Sequence, residues 1–132
     1  KKYVAVVHGI LAKKNDTITS YLVENEAYEV FSVKDSREGE LAKTRYKVLK
    51  EARYFSLLEI ELLTGKKNQI RVHLSEKGHP LVGDDKYGKR GDTKDRLTLH
   101  SHTITFKHPR TGKELTFEAE IPEFFMSFFE NV

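Results

Sequence analysis

The sequence has 132 residues, a formal net charge of +3 and 38% hydrophobic residues, which suits one domain with a modest core. It has no cysteine and no run of about 18 apolar residues, so we expect no disulfide, no thiolate metal site and no membrane-spanning helix. A cytoplasmic protein is the resulting expectation. Because the only methionine is Met126, we interpret the chain as a piece of a longer one.

The positive charge is concentrated in one stretch of the sequence. Residues 64–112 carry 11 Lys and Arg against 5 Asp and Glu, whereas residues 113–132 carry 1 against 5. A phosphate-bearing partner needs such a concentration, because Lys and Arg release counterions when they neutralise phosphates. On charge alone, a merely solvated basic surface explains the stretch equally well.

Strand patterns dominate the first half of the chain. Residues 3–7 form a short β-branched run ended by Gly9, which predicts a buried strand. Residues 16–22 predict a short turn or helix, with Asp16 as a possible cap. Residues 28–33 alternate in polarity and predict another strand.

Two longer alternating segments follow. Residues 42–52 predict a half-buried strand with a basic side, which consists of Lys43, Arg45 and Lys47. Residues 55–63 alternate again and stop at Thr64 and Gly65, so the two segments predict a hairpin.

The periodicity of residues 70–74 is ambiguous, because their aliphatic residues fit the spacing of a strand and also of a helical turn. Residues 78–80 read GHP and end whatever element precedes them.

The C-terminal third predicts two more strands and a short helix. The strands cover residues 97–106 and 114–121, and the Pro and Gly of residues 108–112 predict a turn between them. Residues 123–130 follow Pro122, carry acidic residues and predict a short helix with four core phenylalanines.

The densest cluster of potentially functional side chains lies in residues 63–74 and 78–88, which read LTGKKNQIRVHL and GHPLVGDDKYG. Arg71 is surrounded by aliphatic residues in this cluster, and a partly desolvated guanidinium needs a carboxylate or a phosphate. Two interpretations are open: Arg71 serves a binding site, or it holds a loop carboxylate of the same domain.

These strings resemble the motif of RluA-type RNA pseudouridine synthases, T-G-R-x-H-Q-I/L-R-x-H followed by G-H/x-P-I/L-x-G-D-x-x-Y-G. Residues 2–9 (KYVAVVHG) resemble the family's K-x-Y-x-A-x-V-x-G strand, and residues 42–48 (AKTRYKV) resemble its A-x-T-x-Y-x-V strand. The family's L-H-A, H-P-x-T-G and F-x-A segments are similar to residues 99–101, 108–112 and 117–119. Matches in the same order cover nearly the whole chain.

The resemblance implies an α+β fold, with a mixed, largely antiparallel sheet and short helices. It also implies that residues 1–132 are the C-terminal part of a pseudouridine synthase catalytic domain.

The implied activity is the isomerisation of uridine to pseudouridine in ribosomal or transfer RNA, without a cofactor and with the uridine flipped out of its stack. In the family an aspartate attacks the nucleoside, and the detached uracil turns and reattaches through carbon. Tyr3 matches the tyrosine that stacks on the base and is a candidate for removing the final proton. Arg71 matches the arginine that keeps the catalytic aspartate ionised. The expected substrate-binding residues are Lys66, Lys67, Asn68, Gln69 and Ile70.

The sequence departs from the family pattern in two ways. Lys66 replaces the usual Arg and Asn68 the usual His. The nucleophile motif, R-L/I-D followed closely by T-S-G, does not occur in these 132 residues, and in the family it precedes the strand that contains Tyr3. We therefore expect the chain alone to be inactive. A non-catalytic RNA-binding module and an inactive folding unit are the alternatives.

A metal site is a weaker alternative. His73, His79 and Asp84 lie in the cluster, but their spacing fits no zinc pattern, so we expect no metal. His100 and His102 share one face of a predicted strand, where structural roles are the simpler explanation.

Three structural expectations follow from the resemblance. Tyr3 and Arg71 should line one partly buried pocket. Arg71, without its family carboxylate, should hold an anion or solvent or be unsettled. Binding of RNA should be weak and salt-dependent, through charges on Lys43, Arg45, Lys47, Lys66 and Lys67.

Overall fold

The computed structural model describes residues 1–89, 91–92 and 96–130, and its centre is one seven-stranded sheet. The strands are β1 (Lys2–His8), β2 (Asn15–Glu24), β3 (Val30–Val33), β4 (Glu40–Glu51), β5 (Phe55–Leu62), β6 (Leu99–Lys107) and β7 (Glu114–Glu118). The helices are α1 (Gln69–Glu76) and α2 (Glu123–Met126), and a 3-10 turn (Ser127–Phe129) follows α2. The sheet order is β3-β2-β4-β5-β1-β6-β7. An α+β fold with a largely antiparallel sheet is confirmed, and all six pairings between these strands are antiparallel.

The middle strand, β1, is buried on both faces. Its residues 4–7 have no exposed surface, as the β-branched run predicts. Ala5 and Val7 pack in the cluster that includes α1, whereas Val4 and Val6 pack with Phe125 of α2. Because each fully buried valine contributes roughly 1.5–3 kcal/mol, this strand fixes the position of the elements around it.

Residues 16–22 do not form the expected turn or helix. They belong to β2, which pairs with β4 over eight residues. Their Thr, Ile and Tyr side chains suit a pleated surface, and pairing with the long strand β4 outweighs the local capping signal. The Asp16 carboxylate accepts a hydrogen bond from the backbone N–H of Thr17 at 2.8 Å instead of capping a helix.

The ambiguous segment after β5 is helix α1. Asn68, with φ of 57°, turns the chain into the helix, which buries Ile70, Val72 and Leu74. The helix ends at the predicted break, where the backbone N–H of Gly78 donates to Ser75 O at 3.0 Å. No helix of the described residues is long and apolar enough to cross a membrane.

The C-terminal elements close the second face of the sheet. The expected core role of the phenylalanines is confirmed: Phe125 and Phe129 are buried, and Phe124 and Phe128 pack partly buried beside them. The predicted turn between β6 and β7 is present, with φ of 70° at Gly112.

Candidate active site

Strand β1 delivers Tyr3 to the face of the sheet that α1 covers. In the register, Tyr3 lies opposite Ile60 of β5 and Ser101 of β6, and the β6 pairing shifts between Lys2 and Tyr3. Its ring packs, partly buried, against the cluster that contains Ile70. One side of the ring is therefore held by the core, and the rest is open to a neighbouring hollow.

Arg71 lies on helix α1 near Tyr3, and the buried carboxylate of Asp84 binds its guanidinium. Arg71 Nε lies 3.0 Å from Asp84 Oδ2, and its Nη2 lies 2.7 Å from Asp84 Oδ1. The guanidinium carbon also lies 5.3 Å from the centroid of the Tyr87 ring. Hydrogen bonding to Asp84 raises the pKa of Arg71, so the guanidinium stays charged.

Asp84 is placed by the turn that follows α1. Its carboxylate also accepts the backbone N–H groups of Lys86 (3.0 Å) and Tyr87 (2.9 Å). Burial by itself would raise the pKa of Asp84, but the hydrogen bonds from Arg71 and from these two N–H groups outweigh it and lower that pKa. Gly88 makes the turn possible, since a Cβ there would lie 1.8 Å from Asp84 O.

The expectation that Arg71 lacks a carboxylate partner is wrong. Asp84 supplies a bidentate partner, and Asp85 Oδ1 lies 3.6 Å from Arg71 Nη2. The alternative, in which Arg71 holds a loop carboxylate of its own domain, describes this contact. The signal in the sequence was the aspartate of the G-D-x-x-Y-G string, which is Asp84, whereas its burial is visible only in the fold.

Tyr3 and Arg71 line one hollow of about 200 Å³, although 68 positions separate them. This expected geometry is confirmed. The remaining lining residues are Leu62, Lys66, Asn68, Gln69, Ile70 and Leu99. One aromatic ring, aliphatic walls and two cationic side chains can receive a planar base with a phosphate beside it.

The loop residues divide between this hollow and its surroundings. Lys66 lines it, and its Nζ lies 3.2 Å from Glu40. The amide oxygen of Asn68 lies 3.5 Å from Arg71 Nη1. Lys67 does not line it: its Nζ pairs with Glu24 at 2.7 Å and faces a separate hollow between the ends of β2 and β4.

Gln69 lines the hollow, but the polar groups of its side chain hold the loop. Its Oε1 accepts hydrogen bonds from Thr64 Oγ1 (2.8 Å) and the Lys66 N–H (3.0 Å), and its Nε2 donates to Lys43 O and Thr44 Oγ1 (both 2.9 Å). All four hydrogen-bonding positions of the amide are thereby used. The expected substrate-binding role of Gln69 stays a prediction, and its amide groups are already used within the loop.

A buried polar chain, which sequence reasoning missed, runs from Gln69 to the end of α1. His73 Nδ1 lies 2.8 Å from Thr44 Oγ1, and His73 Nε2 lies 2.8 Å from Ser20 Oγ. Ser20 Oγ contacts Ser32 Oγ, which donates to the Glu76 carboxylate. The only signal in the sequence was a His at helical spacing in an apolar segment.

The chain has a consistent proton arrangement. Thr44 Oγ1 accepts a hydrogen bond from the Gln69 amide, and its hydroxyl can donate one to His73 Nδ1. In that arrangement His73 Nε2 carries the ring proton. The single hydroxyl hydrogen of Ser32 can point to Ser20 Oγ or to the Glu76 carboxylate, and when it points to Glu76 the Ser20 hydroxyl donates to Ser32 Oγ. Burial lowers the pKa of His73, which agrees with a neutral ring.

The basic side of β4 lies on the opposite face of the sheet. Ala42, Thr44 and Tyr46 are buried, so the alternate residues 43, 45 and 47 point away from α1. Arg45 Nη1 lies 2.9 Å from Glu61 Oε1, and Lys47 lies opposite Glu59 in the register. These charges are partly neutralised within the sheet and do not line the Tyr3 hollow.

The candidate metal residues are occupied by other partners. His73 bonds to hydroxyls, His79 Nδ1 lies 2.9 Å from His8 O, and Asp84 holds Arg71. The described residues contain no group of three side chains that could hold a metal. His100 packs its ring against Phe125.

Comparison with known proteins decides the family. Residues 1–76 match the model of the RNA pseudouridylate synthase family. The chain belongs to this family. It is 38% identical, over its whole length, to an uncharacterized RNA pseudouridine synthase of Bacillus subtilis (strain 168), of which it covers 44%. It is 34% identical over 93% of its length to the ribosomal large subunit pseudouridine synthase C of Escherichia coli (strain K12), of which it covers 42%.

A solved structure supports the same assignment. The structure of human RNA pseudouridylate synthase domain containing 1 superposes on this chain with a TM-score of 0.79 at 27% identity. The superposition covers 97% of this chain and 56% of the human one. The chain thus spans less than half of the curated relatives named above.

Proposed function

We propose that this chain is the C-terminal part of the catalytic domain of an RNA pseudouridine synthase, which isomerises uridine in ribosomal or transfer RNA in the cytoplasm. The reaction needs no cofactor and no metal. The observation that carries the proposal is the hollow shared by Tyr3 and Arg71 in a chain of this family. The ribosomal substrate is suggested by the name of the relative from Escherichia coli.

Tyr3 is the residue proposed to stack on the flipped uracil. Its ring packs against the core cluster that contains Ile70, so a base that enters the hollow meets an aromatic surface supported by the core. During the isomerisation the bond from C1′ to N1 breaks, a bond from C1′ to C5 forms, the proton on C5 leaves and N1 takes up a proton. The Tyr3 hydroxyl is the candidate group for removing that proton.

Arg71 is proposed to orient and ionise the nucleophilic carboxylate of the whole protein. Asp84 occupies Nε and Nη2 of its guanidinium. Nη1, whose contact with Asn68 is long, is the nitrogen that can receive a second carboxylate. Lys66 would supply phosphate contacts at the rim, and Ile70 part of the apolar wall.

The chain alone is proposed to be inactive, because the nucleophile motif of the family does not occur in its sequence. Covalent catalysis without a nucleophile loses the step itself. The same observation favours the second candidate, a non-catalytic RNA-binding module.

The test is tritium release from RNA labelled at uridine C5, with ribosomal and transfer RNA as substrates. We expect release by the whole protein and none by this chain. In the whole protein, Tyr3→Phe should lower release at least about a hundredfold, the usual scale for a lost proton-transfer group. Arg71→Lys should also lower release, because a lysine cannot hold Asp84 and a second carboxylate in the fixed geometry of a guanidinium. Release by this chain, or full activity of both variants, would contradict the proposal. An inactive whole protein that binds RNA would favour the binding module.

A further inference from the structure

A second hollow lies at the other end of β1 and β5 and combines aromatic with cationic side chains. Its volume is about 420 Å³, and its lining residues are His8, Gly9, Ile10, Arg53, Tyr54, Phe55 and Lys89. Among the described residues no acidic side chain lines it, although His8 Nε2 lies 2.8 Å from Asp92 Oδ2, whereas the hollows that Lys67 and Arg45 line each contain three acidic residues. Within the described part of the chain, neither Arg53 nor Lys89 has a carboxylate within ion-pair distance.

Tyr54 is the exposed aromatic residue of this hollow. Its surface is 63% exposed, and the Arg53 guanidinium carbon lies 5.3 Å from its ring centroid. Aromatic rings beside unpaired cations are the usual receptors of single-stranded nucleic acid, with bases on the rings and phosphates on the cations.

The backbone fixes Tyr54 in place. Ala52 N–H donates to Phe55 O at 2.8 Å and closes a two-residue hairpin loop around Arg53 and Tyr54. Tyr54 O accepts the N–H of Gly9 at 2.6 Å. The neighbouring Phe55 ring packs on His8 with a centroid distance of 5.7 Å. A ring on so short and anchored a loop loses little conformational entropy on binding.

We infer that the hollow of Arg53, Tyr54 and Lys89 is a second contact site for the RNA, which binds a single-stranded segment away from the reacting uridine. The inference rests on the proposed function, since that function makes RNA the partner. Phe55 and Leu62 mark the two ends of β5, about 23 Å apart at the rise of an extended strand. That is the length of about seven stacked nucleotides. Because Phe55 and Leu62 pack in clusters on opposite faces of the sheet, an RNA needs a segment longer than this to reach both hollows.

The test is fluorescence anisotropy of a labelled 15-nucleotide oligouridylate bound to this chain, over a range of KCl concentrations. Tyr54→Ala should weaken binding roughly 5- to 150-fold without changing the salt slope, because stacking is uncharged. Arg53→Ala with Lys89→Ala should lower the slope of log affinity against log salt by about 1.4, for two lost phosphate contacts on a single strand.

Matched controls separate these effects from general surface changes. Tyr28 is 69% exposed and also lies beside a lysine, but three glutamates lie within four residues of it. Tyr28→Ala should therefore leave binding unchanged. Arg110→Ala with Lys113→Ala removes the same charge from the turn after β6.

The outcomes distinguish this site from the proposed function. If Tyr54→Ala weakens binding no more than Tyr28→Ala does, the second site is overturned. Tritium release by the whole protein still tests the proposed function separately. A salt slope lowered equally by both double variants would also overturn it, since it would mean diffuse attraction only. An unsubstituted chain that binds no oligouridylate would contradict the site as well.

Discussion

Replacing Asp84 should cost this fold more than replacing any exposed acid, because it leaves a charge without its partner. The Asp84 side chain is fully buried and that of Arg71 is 20% exposed. Asp84→Ala removes both bonds to the guanidinium and the acceptor of two backbone N–H groups. Removing one member of a buried ion pair costs about 3–5 kcal/mol of unfolding free energy.

The pair offers a control of the same chemistry. Arg37 also donates from Nε and Nη2 to one aspartate, Asp35, at 3.1 and 2.9 Å, but at an exposed position. Urea unfolding followed by far-UV circular dichroism gives the free energies of each single and double Ala variant. We expect a clear coupling energy for Arg71 with Asp84 and none that can be resolved for Arg37 with Asp35. Equal couplings would refute the assignment of Asp84 as the anchor of Arg71.

The same pair has a pH dependence of known sign. The pKa of Asp84 lies below its usual value in the folded state, so the unfolded state takes up protons first as the pH falls. The stability from this group is complete above about pH 4 and is lost as the pH falls through the folded pKa. Asp84→Asn should lose this acid-dependent part of the stability, measured as urea midpoints between pH 5 and pH 2.

Three further substitutions test the elements around the hollow. The lowered pKa of His73 predicts that stability falls as the pH drops below about 6.5, because the unfolded state binds the proton more readily. His73→Gln should therefore reduce the dependence of the urea midpoint on pH between pH 7.5 and 5. Nitrogen-15 NMR should find the proton of His73 on Nε2, and a proton on Nδ1 would contradict the polar chain. Gln69→Leu should cost about 1–3 kcal/mol in urea unfolding for each buried group left without a partner, and a loss within error would rule out its role in holding the loop. Gly88→Ala should lower the thermal midpoint, since its Cβ would lie 1.8 Å from Asp84 O, whereas Gly65→Ala, with no atom within 4 Å, should not; equal midpoints would contradict the turn.

The strands were predictable where the pattern of apolar residues in the sequence matches the faces that are buried in the fold. Residues 3–7 and 55–63 read as strands and are strands, because their apolar residues match one pleated face or two. The prediction for residues 16–22 failed because these residues pair with β4, and even the nearest register pair, Leu22 with Glu40, is 18 positions apart in sequence. Local patterns carry no information on such pairing.

The residues of the site were predictable only through the family motif, and their partners were not. Periodicity treats Tyr3 as a packed aromatic, and nothing local brings it to Arg71. The spacing of the sequence also did not indicate that the Gln69 amide makes all its hydrogen bonds within the loop. Nor did it indicate that Lys67 forms an ion pair with Glu24. Both facts depend on where β4 and β2 lie in the folded sheet.

The contact between Asp84 and Arg71 also bears on how one arginine can meet a second acid. A guanidinium has a fixed planar fork, and here one edge of the fork, Nε and Nη2, is filled by a carboxylate that the protein interior hides from water. Rotation of the side chain would break both bonds at once, so the remaining nitrogen, Nη1, has a fixed direction. Its neighbour is the Asn68 amide oxygen at 3.5 Å, a distance too long for a strong hydrogen bond. A further carboxylate can therefore approach Nη1 without displacing Asp84, and the proposed catalytic role of Arg71 requires Asp84 as the residue that positions it.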